Sequence, residues 1–384
     1  MTDGAPGAIA PAELTPEIFS TSGWPAARRV ELWESHNAAA LIGLTVRAPD
    51  SLDAAELNVH LPRARLARVT GSAHSVERTR DLILRCPADS VAVFLTLRGE
   101  ARFTADGVAL ERRRGDVLAW AADRPFARTF ARGLEELVVT IPWAELIARS
   151  DSPTPMAGPV VTSFGPPAPT GPAGSAASAG VVGAAGAAGA AGAAGAAGSA
   201  WPGGAARSAG SGRPDPYARA LARIADRATR AERPLRPDER TVLDLVAAIV
   251  GGPRAAPAAA HRAAARSYIE ERLTDPGLGA AEIAAAAGLS ERQLSRVFAA
   301  DGSSVPRHIL IRRLQLAHSI LSATSAPDRA RVGAGPGSTA GAARTVADVA
   351  ASCGFTSATY FSHAFRQHFG HRAGDLRREA ARLK

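Results

Sequence analysis

The stretch that decides the fold of the C-terminal part of the chain is Ala280–Phe298, AAEIAAAAGLSERQLSRVF. The residues up to Ala287 are mostly alanine and favour a helix, which Gly288 would end in the left-handed conformation. Ser290 is placed to cap a second helix. In that helix the apolar side chains share one face and the polar ones another, namely Leu294, Val297 and Phe298 against Arg292, Ser295 and Arg296. The pattern predicts a helix-turn-helix, whose second helix can enter the DNA major groove.

The same pattern recurs at Val346–Phe365, VADVAASCGFTSATYFSHAF. Here Gly354 ends the first helix, and either Thr356 or Ser357 can cap the second. The apolar residues again fall on one face of each helix. We therefore predict two helix-turn-helix units, at 280–298 and 346–366.

A long helix is predicted between the two units, over 305–322, because Leu310, Leu314, Ala317 and Leu321 recur at spacings of four and three. About 18 residues at ~1.5 Å each give a length of ~27 Å. One turn of DNA is ~34 Å, so such a helix can hold two reading heads near one turn apart.

The charge of the chain is concentrated where the helix-turn-helix units lie. The 384 residues, enough for two or three domains, include 45 Lys and Arg and 36 Asp and Glu. Residues 258–384 hold 17 of the basic and 10 of the acidic residues. This excess suits a surface that faces phosphates. A solvated basic surface would give the same count, so charge alone does not decide the function.

Several protein classes do not fit the sequence. The two cysteines, Cys86 and Cys353, lie far apart and indicate neither a disulfide framework nor a zinc cluster. No apolar run approaches the ~20 residues needed to span a bilayer, and the N-terminus lacks a basic-then-apolar signal. We therefore expect a cytoplasmic, nucleoid-associated protein that has no membrane partner.

The N-terminal part has the alternation of β-strands. From Leu57 to Pro142 the apolar residues recur with a period of two, and turn signals such as Asp106–Gly107 separate the runs. Many short antiparallel strands at this spacing predict a small barrel or sandwich. Together with the helical C-terminal part, this gives an α+β chain.

Composition divides the chain further. Glycine recurs every third residue over 183–198 without any apolar side chain larger than alanine, which predicts disorder. We predict five segments: a loose N-terminal arm at 1–25, a regulatory or dimerisation domain at 26–150, a disordered linker at 151–213, a helical connector at 214–252 and a DNA-binding domain at 258–384. The connector helices can pack within the chain or form a dimer interface.

Two helix-turn-helices joined by a long helix resemble the AraC/XylS family of bacterial transcription regulators. The resemblance covers about 278–378 and rests on LSERQLSRVF, RRLQLAHSIL and, above all, GFTSATYFSHAFRQHFG. It implies that the base-reading residues are Arg292, Ser295 and Arg296 in the first unit and Thr359, Ser362 and His363 in the second. An arginine can bond a guanine edge in two places, which agrees with this assignment. The candidates for phosphate contact are Ser290, Arg312, Ser357, Arg366 and Arg377.

The chain departs from the family pattern at four places. The connector at 324–344 is far longer than in the family. His308 stands where the family usually has an aromatic residue, Ala373 where it has proline, and Leu376 where it often has tyrosine. The long connector bears on whether both units contact DNA at once.

The N-terminal part resembles the AraC-binding-like domain of the same family, a cupin-type antiparallel β-barrel. The residues that carry this resemblance are VERTRDLILRC, LTLRGEARFTADGVALERRRGDVLAWAADRPFARTF and LEELVVTIP. Such domains bind a small effector or mediate dimerisation. The resemblance therefore implies promoter DNA as a partner, RNA polymerase if the protein is an activator, and a homodimer or an unknown effector for the N-terminal domain.

Two other functions are compatible with parts of the sequence. A cupin metalloenzyme fused to a DNA-binding domain would need clustered ligands, and His36, His60 and His74 include no His-x-His pair followed by glutamate. We therefore expect no catalytic residues, metal or cofactor. A nucleoid protein that binds DNA without sequence choice would need the basic surface but not the polar residues of the second helices.

Overall fold

The structure, a computed structural model, describes residues 16–149, 156, 158–165, 207–208, 214–230, 237–252, 256–323 and 345–382. Side chains are described for all of these except 207, 208, 377 and 379–382. The chain divides into two compact units, Met1–Ala256 and Pro257–Lys384. The predicted disordered repeat at 183–198 and the long connector at 324–344 lie outside the described residues.

The described residues of the first unit form mainly strands, together with five helices. The strands are β1 (Glu17–Ser20), β2 (Thr45–Arg47), β3 (Ala54–His60), β4 (Arg65–Gly71), β5 (His74–Arg78), β6 (Ser90–Gly99), β7 (Ala101–Ala105), β8 (Val108–Arg112), β9 (Asp116–Ala121), β10 (Phe126–Phe130), β11 (Leu134–Pro142), β12 (Val160–Ser163) and β13 (Arg207–Ser208). The helices are α1 (Ala26–Ala40), α2 (Arg80–Arg85), α3 (Trp143–Ile147), α4 (Pro216–Ala228) and α5 (Glu239–Gly251).

The strands form two sheets rather than one closed barrel. Hydrogen bonds order eight strands as β1-β3-β4-β11-β6-β9-β12-β13 and five as β2-β5-β10-β7-β8. Neither order returns to its first strand. The predicted α+β class and cupin-like β-rich domain are confirmed, and the predicted β-barrel is not closed. Alternation along a strand determines which side chains face inward, and it carries no information on whether the outer strands pair with each other.

The core of this unit lies between the two sheets. Phe103 on β7 meets Trp120 on β9 with ring centroids 5.2 Å apart, and meets Phe126 on β10 at 5.8 Å. Strand β6 lies between β11 and β9 in its sheet and is buried continuously from Val91 to Thr96. The β7–β8 hairpin turns at Asp106 and Gly107 with φ of 48° and 77°, as the two-residue signal predicts.

Arg78 joins four parts of the first unit from a fully buried position. Its Nε donates to the carbonyl of Ala122 at 2.7 Å and its Nη1 to that of Gly43 at 2.7 Å. Its Nη2 donates to the carbonyl of Cys86 at 2.8 Å and to Asp123 Oδ1 at 2.9 Å. These bonds stabilise a charge that would otherwise be costly to bury.

Three strands lie in segments that we predicted to be irregular. Strand β1 lies within the expected loose arm and pairs with β3 from Glu17 to Ser20. Strands β12 and β13 lie within the expected linker, where β12 pairs with β9 from Val160 to Ser163 and β13 pairs with β12. All three are short and have flanks rich in proline, glycine and alanine, so the composition of these segments did not predict strands. Each adds to the eight-stranded sheet, whose neighbouring strand offers unpaired backbone N–H and C=O groups.

Helices α4 and α5 pack within the first unit. Asp215 caps α4 by accepting the backbone N–H of Tyr217 and Ala218. Arg68 on β4 forms an ion pair with Asp226 and donates to the carbonyl of Thr229 at 3.3 Å. Helices α4 and α5 therefore pack on strands of the eight-stranded sheet, which agrees with the within-chain alternative that the sequence left open.

The second unit is helical throughout its described residues. Its helices are α6 (Ala258–Glu271), α7 (Ala280–Ala286), α8 (Glu291–Ala299), α9 (Val305–Ala323), α10 (Val346–Ser352), α11 (Ala358–Phe369) and α12 (Ala373–Arg382). Helix α9 has 19 residues, or about 28 Å. Leu314, Ala317 and Leu321 on α9 are buried against α10 and α11. No helix in the described part of the chain combines the length and apolar character needed to cross a membrane.

Candidate nucleic-acid interface

The first helix-turn-helix consists of α7 and α8. Ile283 and Ala284 on α7 pack beneath Leu294 and Phe298 on α8, and all four are buried. Gly288 forms the turn with a φ of +69°. The cap of α8 is reciprocal: Ser290 Oγ accepts the N–H of Gln293, whose side chain accepts the N–H of Ser290. The unit therefore forms as the sequence predicts.

The outer face of α8 carries the predicted base-reading residues of the first unit. Arg292, Ser295 and Arg296 are all exposed. Neither Arg292 nor Arg296 has an ion pair or side-chain hydrogen bond within the described ranges. Their guanidinium groups are thus free to bond a base edge or a phosphate.

The second helix-turn-helix consists of α10 and α11. Cys353, Phe361 and Phe365 form its core, with Phe361 and Phe365 ring centroids 5.4 Å apart. Ser357 caps α11 by accepting the N–H of Tyr360 at 3.2 Å, so Ser357 rather than Thr356 is the cap. Gly370 ends α11 with a φ of +79°.

The predicted base-reading residues of the second unit lie on the exposed face of α11. Thr359, Ser362 and His363 are all exposed. Ser362 Oγ donates to the carbonyl of Ala358 at 2.9 Å, which leaves its lone pairs directed outward. This face is more polar than charged, in contrast to the face of α8.

The candidates for phosphate contact separate into three groups. Ser290 and Ser357 are exposed caps, and Arg366 is exposed with no ion pair among the described residues. Arg312 instead forms two bonds with Glu270, at 2.6 and 2.9 Å, and this pairing raises the pKa of the guanidinium. That contact departs from the expectation that Arg312 faces phosphate. The side chain of Arg377 lies outside the described residues.

Other arginines of the second unit show how its charge is distributed. Five contact carboxylates or carbonyls of the unit itself: Arg262, Arg266, Arg272, Arg313 and Arg378. Arg307, in the first turn of α9, and Arg372, after α11, are exposed and have no ion pair within the described ranges. Arg307 was not among the predicted phosphate contacts, and it follows the first helix-turn-helix closely in the sequence.

Arg313 connects the two helix-turn-helix units. It lies on α9, and its Nε donates to the carbonyl of Leu273 at 2.9 Å while its Nη2 donates to that of Asp275 at 2.5 Å. Gly354, in the turn of the second unit, packs directly on this contact. A Cβ at Gly354 would lie 2.9 Å from the Thr274 oxygen and 3.1 Å from Arg313 Cζ. The loop before α7 and the turn before α11 are therefore held together.

His308 packs as an aromatic residue would at this position. Its ring packs edge-on against Phe298, with centroids 5.5 Å apart. Burial lowers the pKa of His308, and the nearby positive charges of Arg266 and Arg312 lower it further. A neutral imidazole can fill the apolar space between α8 and α9.

The first unit has a cleft near one end of its sheets, with a volume of about 340 Å³. Its lining includes Ile42, Gly43, Arg65, Ser90 and Cys86. Clefts of this size commonly accommodate small molecules. The Arg65 side chain already has partners within the chain, since its Nη1 donates to two carbonyls of α1 at 3.2 Å.

The fold and exposed faces define a class: a β-rich domain followed by a double helix-turn-helix. Sequence models of known families make this specific. Residues 36–208 match the AraC-binding-like domain, and residues 342–370 match the bacterial regulatory helix-turn-helix proteins of the AraC family. The chain therefore carries an AraC-binding-like domain and a helix-turn-helix of the AraC-family type. The second match covers the second helix-turn-helix alone, so the first is identified by its geometry.

Individual relatives are similar over part of their length. The transcriptional activator RhrA of Rhizobium meliloti (strain 1021) is 29% identical over 119 residues, which are 31% of this chain and 33% of RhrA. The transcriptional activator NphR of Rhodococcus sp is 32% identical over 115 residues, 30% of this chain and 29% of NphR. The chain thus matches about a third of each relative.

One solved structure is similar over most of the chain. The crystal structure of the AraC-like transcriptional activator CuxR is 19% identical, with a TM-score of 0.42. The similarity covers 79% of this chain and 95% of that one.

Proposed function

We propose that this protein is a sequence-specific transcription regulator that binds promoter DNA through α8 and α11, its two recognition helices. The observation that carries the proposal is the polar face of each helix. Arg292 and Arg296 project from α8 on the side opposite its buried residues, and they have no intramolecular partner in the described part of the chain. Two unpaired arginines one helical turn apart suit a guanine-containing major groove.

The two helices would read DNA by different chemistry. Arg292 and Arg296 each offer a bidentate donor pair, which guanine O6 and N7 accept. Ser295 on α8 and the α11 residues Thr359, Ser362 and His363 would make shorter-range contacts with base edges. Readout would then be strongest under α8.

Phosphate contacts would hold this register. Arg366 and Arg307 are the exposed guanidinium groups best placed for them, with Ser290 and Ser357 at the helix starts and Arg377 in the tail. Arg312 would reach a phosphate only by leaving Glu270, so we assign it to the fold.

The first unit would control this binding, through a small effector or through a homodimer. The cleft of about 340 Å³ supports the effector alternative. RhrA and NphR are named activators, and an activator of this kind would also contact RNA polymerase. Such a regulator acts on the nucleoid in the cytoplasm and has no catalytic role.

The direct test measures binding of the full chain to the upstream region of its own gene. A scrambled duplex of equal length and composition is the competitor, at physiological salt. We expect the upstream region to bind at least ~10³-fold more tightly. A ratio near one would contradict sequence-specific regulation and would favour an architectural DNA-binding protein.

A further inference from the structure

Strand β3 carries buried oxygen atoms without hydrogen-bond partners, beneath α1. Glu56 is 1% exposed, and neither of its carboxylate oxygens accepts a hydrogen bond. Asn58, also 1% exposed, lies two residues further along the same face, and its Oδ1 has no partner. A buried carboxylate without a partner is strongly unfavourable. No donor of the described residues lies within hydrogen-bond distance of these three oxygens, so a bound cation could stabilise them.

His36 on α1 faces these oxygens. Its Nε2 is 3.7 Å from Glu56 Oε1 and 3.1 Å from Asn58 Nδ2. The oxygen and nitrogen of the Asn58 amide can be exchanged by a 180° turn, which would bring the partnerless Oδ1 to face Nε2. Metal binding would use this orientation together with the tautomer of His36 that leaves a lone pair on Nε2. A nitrogen lone pair, a carboxylate and an amide oxygen then converge.

The spacing of these atoms distinguishes between kinds of cation. Ligands at about 2.0–2.2 Å from a small metal ion lie about 2.8–3.6 Å from one another in octahedral or tetrahedral geometry. An ammonium group at about 2.8 Å from each acceptor would need separations of about 4.0–4.6 Å. The separation of 3.1 Å lies within the range for a small metal ion, and that of 3.7 Å lies closer to this range than to the range for an ammonium group.

We propose that His36, Glu56 and Asn58 bind one divalent first-row metal ion, such as Zn²⁺ or Mn²⁺. A set of imidazole and oxygen ligands without thiolate suits these ions. The described residues contain no group of three His, Cys, Asp or Glu side chains that could hold a metal. This site has two such side chains, and the proposal takes the Asn58 amide oxygen as its third ligand. We expected no metal because the histidines do not have the sequence spacing of a cupin metal site. That spacing does not show that α1 brings His36 next to Glu56 and Asn58 on β3.

The ion would also connect three elements of the first unit. The ring of Phe19 on β1 stacks on His36 with centroids 4.2 Å apart and an angle of 8° between the planes. This contact fixes the orientation of the imidazole. Metal binding would thus join α1 to β3 and hold β1 against both.

The test uses the purified full chain, stripped with EDTA and titrated with Zn²⁺ or Mn²⁺ in separate experiments. Calorimetry should show one equivalent bound for at least one of the two metals, and the tryptophan-detected melting temperature should rise. Both His36→Gln and Glu56→Gln should weaken binding by at least about tenfold. His60→Gln is the matched control, because His60 also lies beside a glutamate, Glu17, but is exposed, and this variant should bind normally.

A loss of metal binding in Glu56→Gln can be distinguished from a loss of folding. Glu56→Gln removes a buried charge, so without metal this variant should melt at or above the wild-type temperature. The proposal is overturned if the wild type binds neither metal stoichiometrically. It is also overturned if binding survives both substitutions, or if His60→Gln abolishes it.

Discussion

Replacing Gly354 with alanine tests whether the contact between the two helix-turn-helix units stabilises the second unit. Gly354 has a φ of +83°, and a Cβ there would meet the Thr274 oxygen at 2.9 Å. Gly288 occupies the same position in the first helix-turn-helix, with a φ of +69°, and a Cβ there would meet nothing within 4 Å. The two substitutions share the backbone cost and differ in the contact alone.

The structure sets the size of the difference. An alanine in the left-handed conformation costs about 1–2 kcal/mol, and the smaller entropy of the unfolded chain returns about 0.4–1 kcal/mol. Gly288→Ala should therefore lower the free energy of unfolding by about 1 kcal/mol. At Gly354 the Cβ must displace backbone, which adds about 1–3 kcal/mol. The expected loss for Gly354→Ala is about 2–4 kcal/mol.

The tryptophans make the assay selective. All five lie before residue 257, at positions 24, 33, 120, 143 and 201. In urea unfolding of the full chain, tryptophan fluorescence therefore follows the first unit, and circular dichroism at 222 nm also follows the helical second unit. Gly354→Ala should shift the dichroism transition to lower urea and leave the fluorescence transition in place. Equal losses for Gly354→Ala and Gly288→Ala, within about 0.5 kcal/mol, would refute the contact argument.

Three further predictions concern DNA binding and pH. Arg296→Ala should weaken binding to the specific site by about 1–3 kcal/mol with little effect on random DNA. Arg102→Ala, at an exposed arginine of the first unit, is the control, and equal loss on all DNA would reassign Arg296 to phosphate. Arg366→Ala should reduce the slope of log Kobs against log salt concentration by about 0.9, and an unchanged slope would remove Arg366 from the interface. Burial raises the pKa of Asp123, but hydrogen bonds from Arg78 and two backbone N–H groups outweigh it and hold the pKa below 3.8. Its stabilisation is thus present above pH 3.8 and is lost as the pH falls through the lower folded value, so urea unfolding of the wild type and Asp123→Asn should differ at neutral pH and converge in acid.

The elements of the second unit could be predicted from the sequence because their signals are local. A helix cap such as Ser290 and a left-handed glycine such as Gly288 act over three or four residues, and both occur where expected. The apolar periodicity then identified the buried faces of α8 and α11. The ion pair between Arg312 and Glu270 could not be predicted from local signals, since Glu270 lies 42 residues earlier in the chain and on a different helix.

The first unit was less predictable because its architecture depends on distant pairings. The strand content followed from alternation, and the Asp106–Gly107 turn followed from two residues. The open sheets could not be predicted, since the pairing of β1 with β3 brings together residues about 40 positions apart in the sequence. The convergence of His36 with Glu56 and Asn58 has the same origin, because a helix and a strand must pack before their side chains meet.

Arg313 contacts the loop before α7, and Gly354 packs against both Arg313 and that loop. These contacts bear on the spacing of the DNA sites that the protein would recognise. Under the proposed function, two recognition helices held together by this contact would respond to both the distance and the rotation between two sets of bases. One inserted base pair adds about 3.4 Å and about a tenth of a turn. A target site should therefore tolerate base changes between its two halves far better than the gain or loss of a single base pair there.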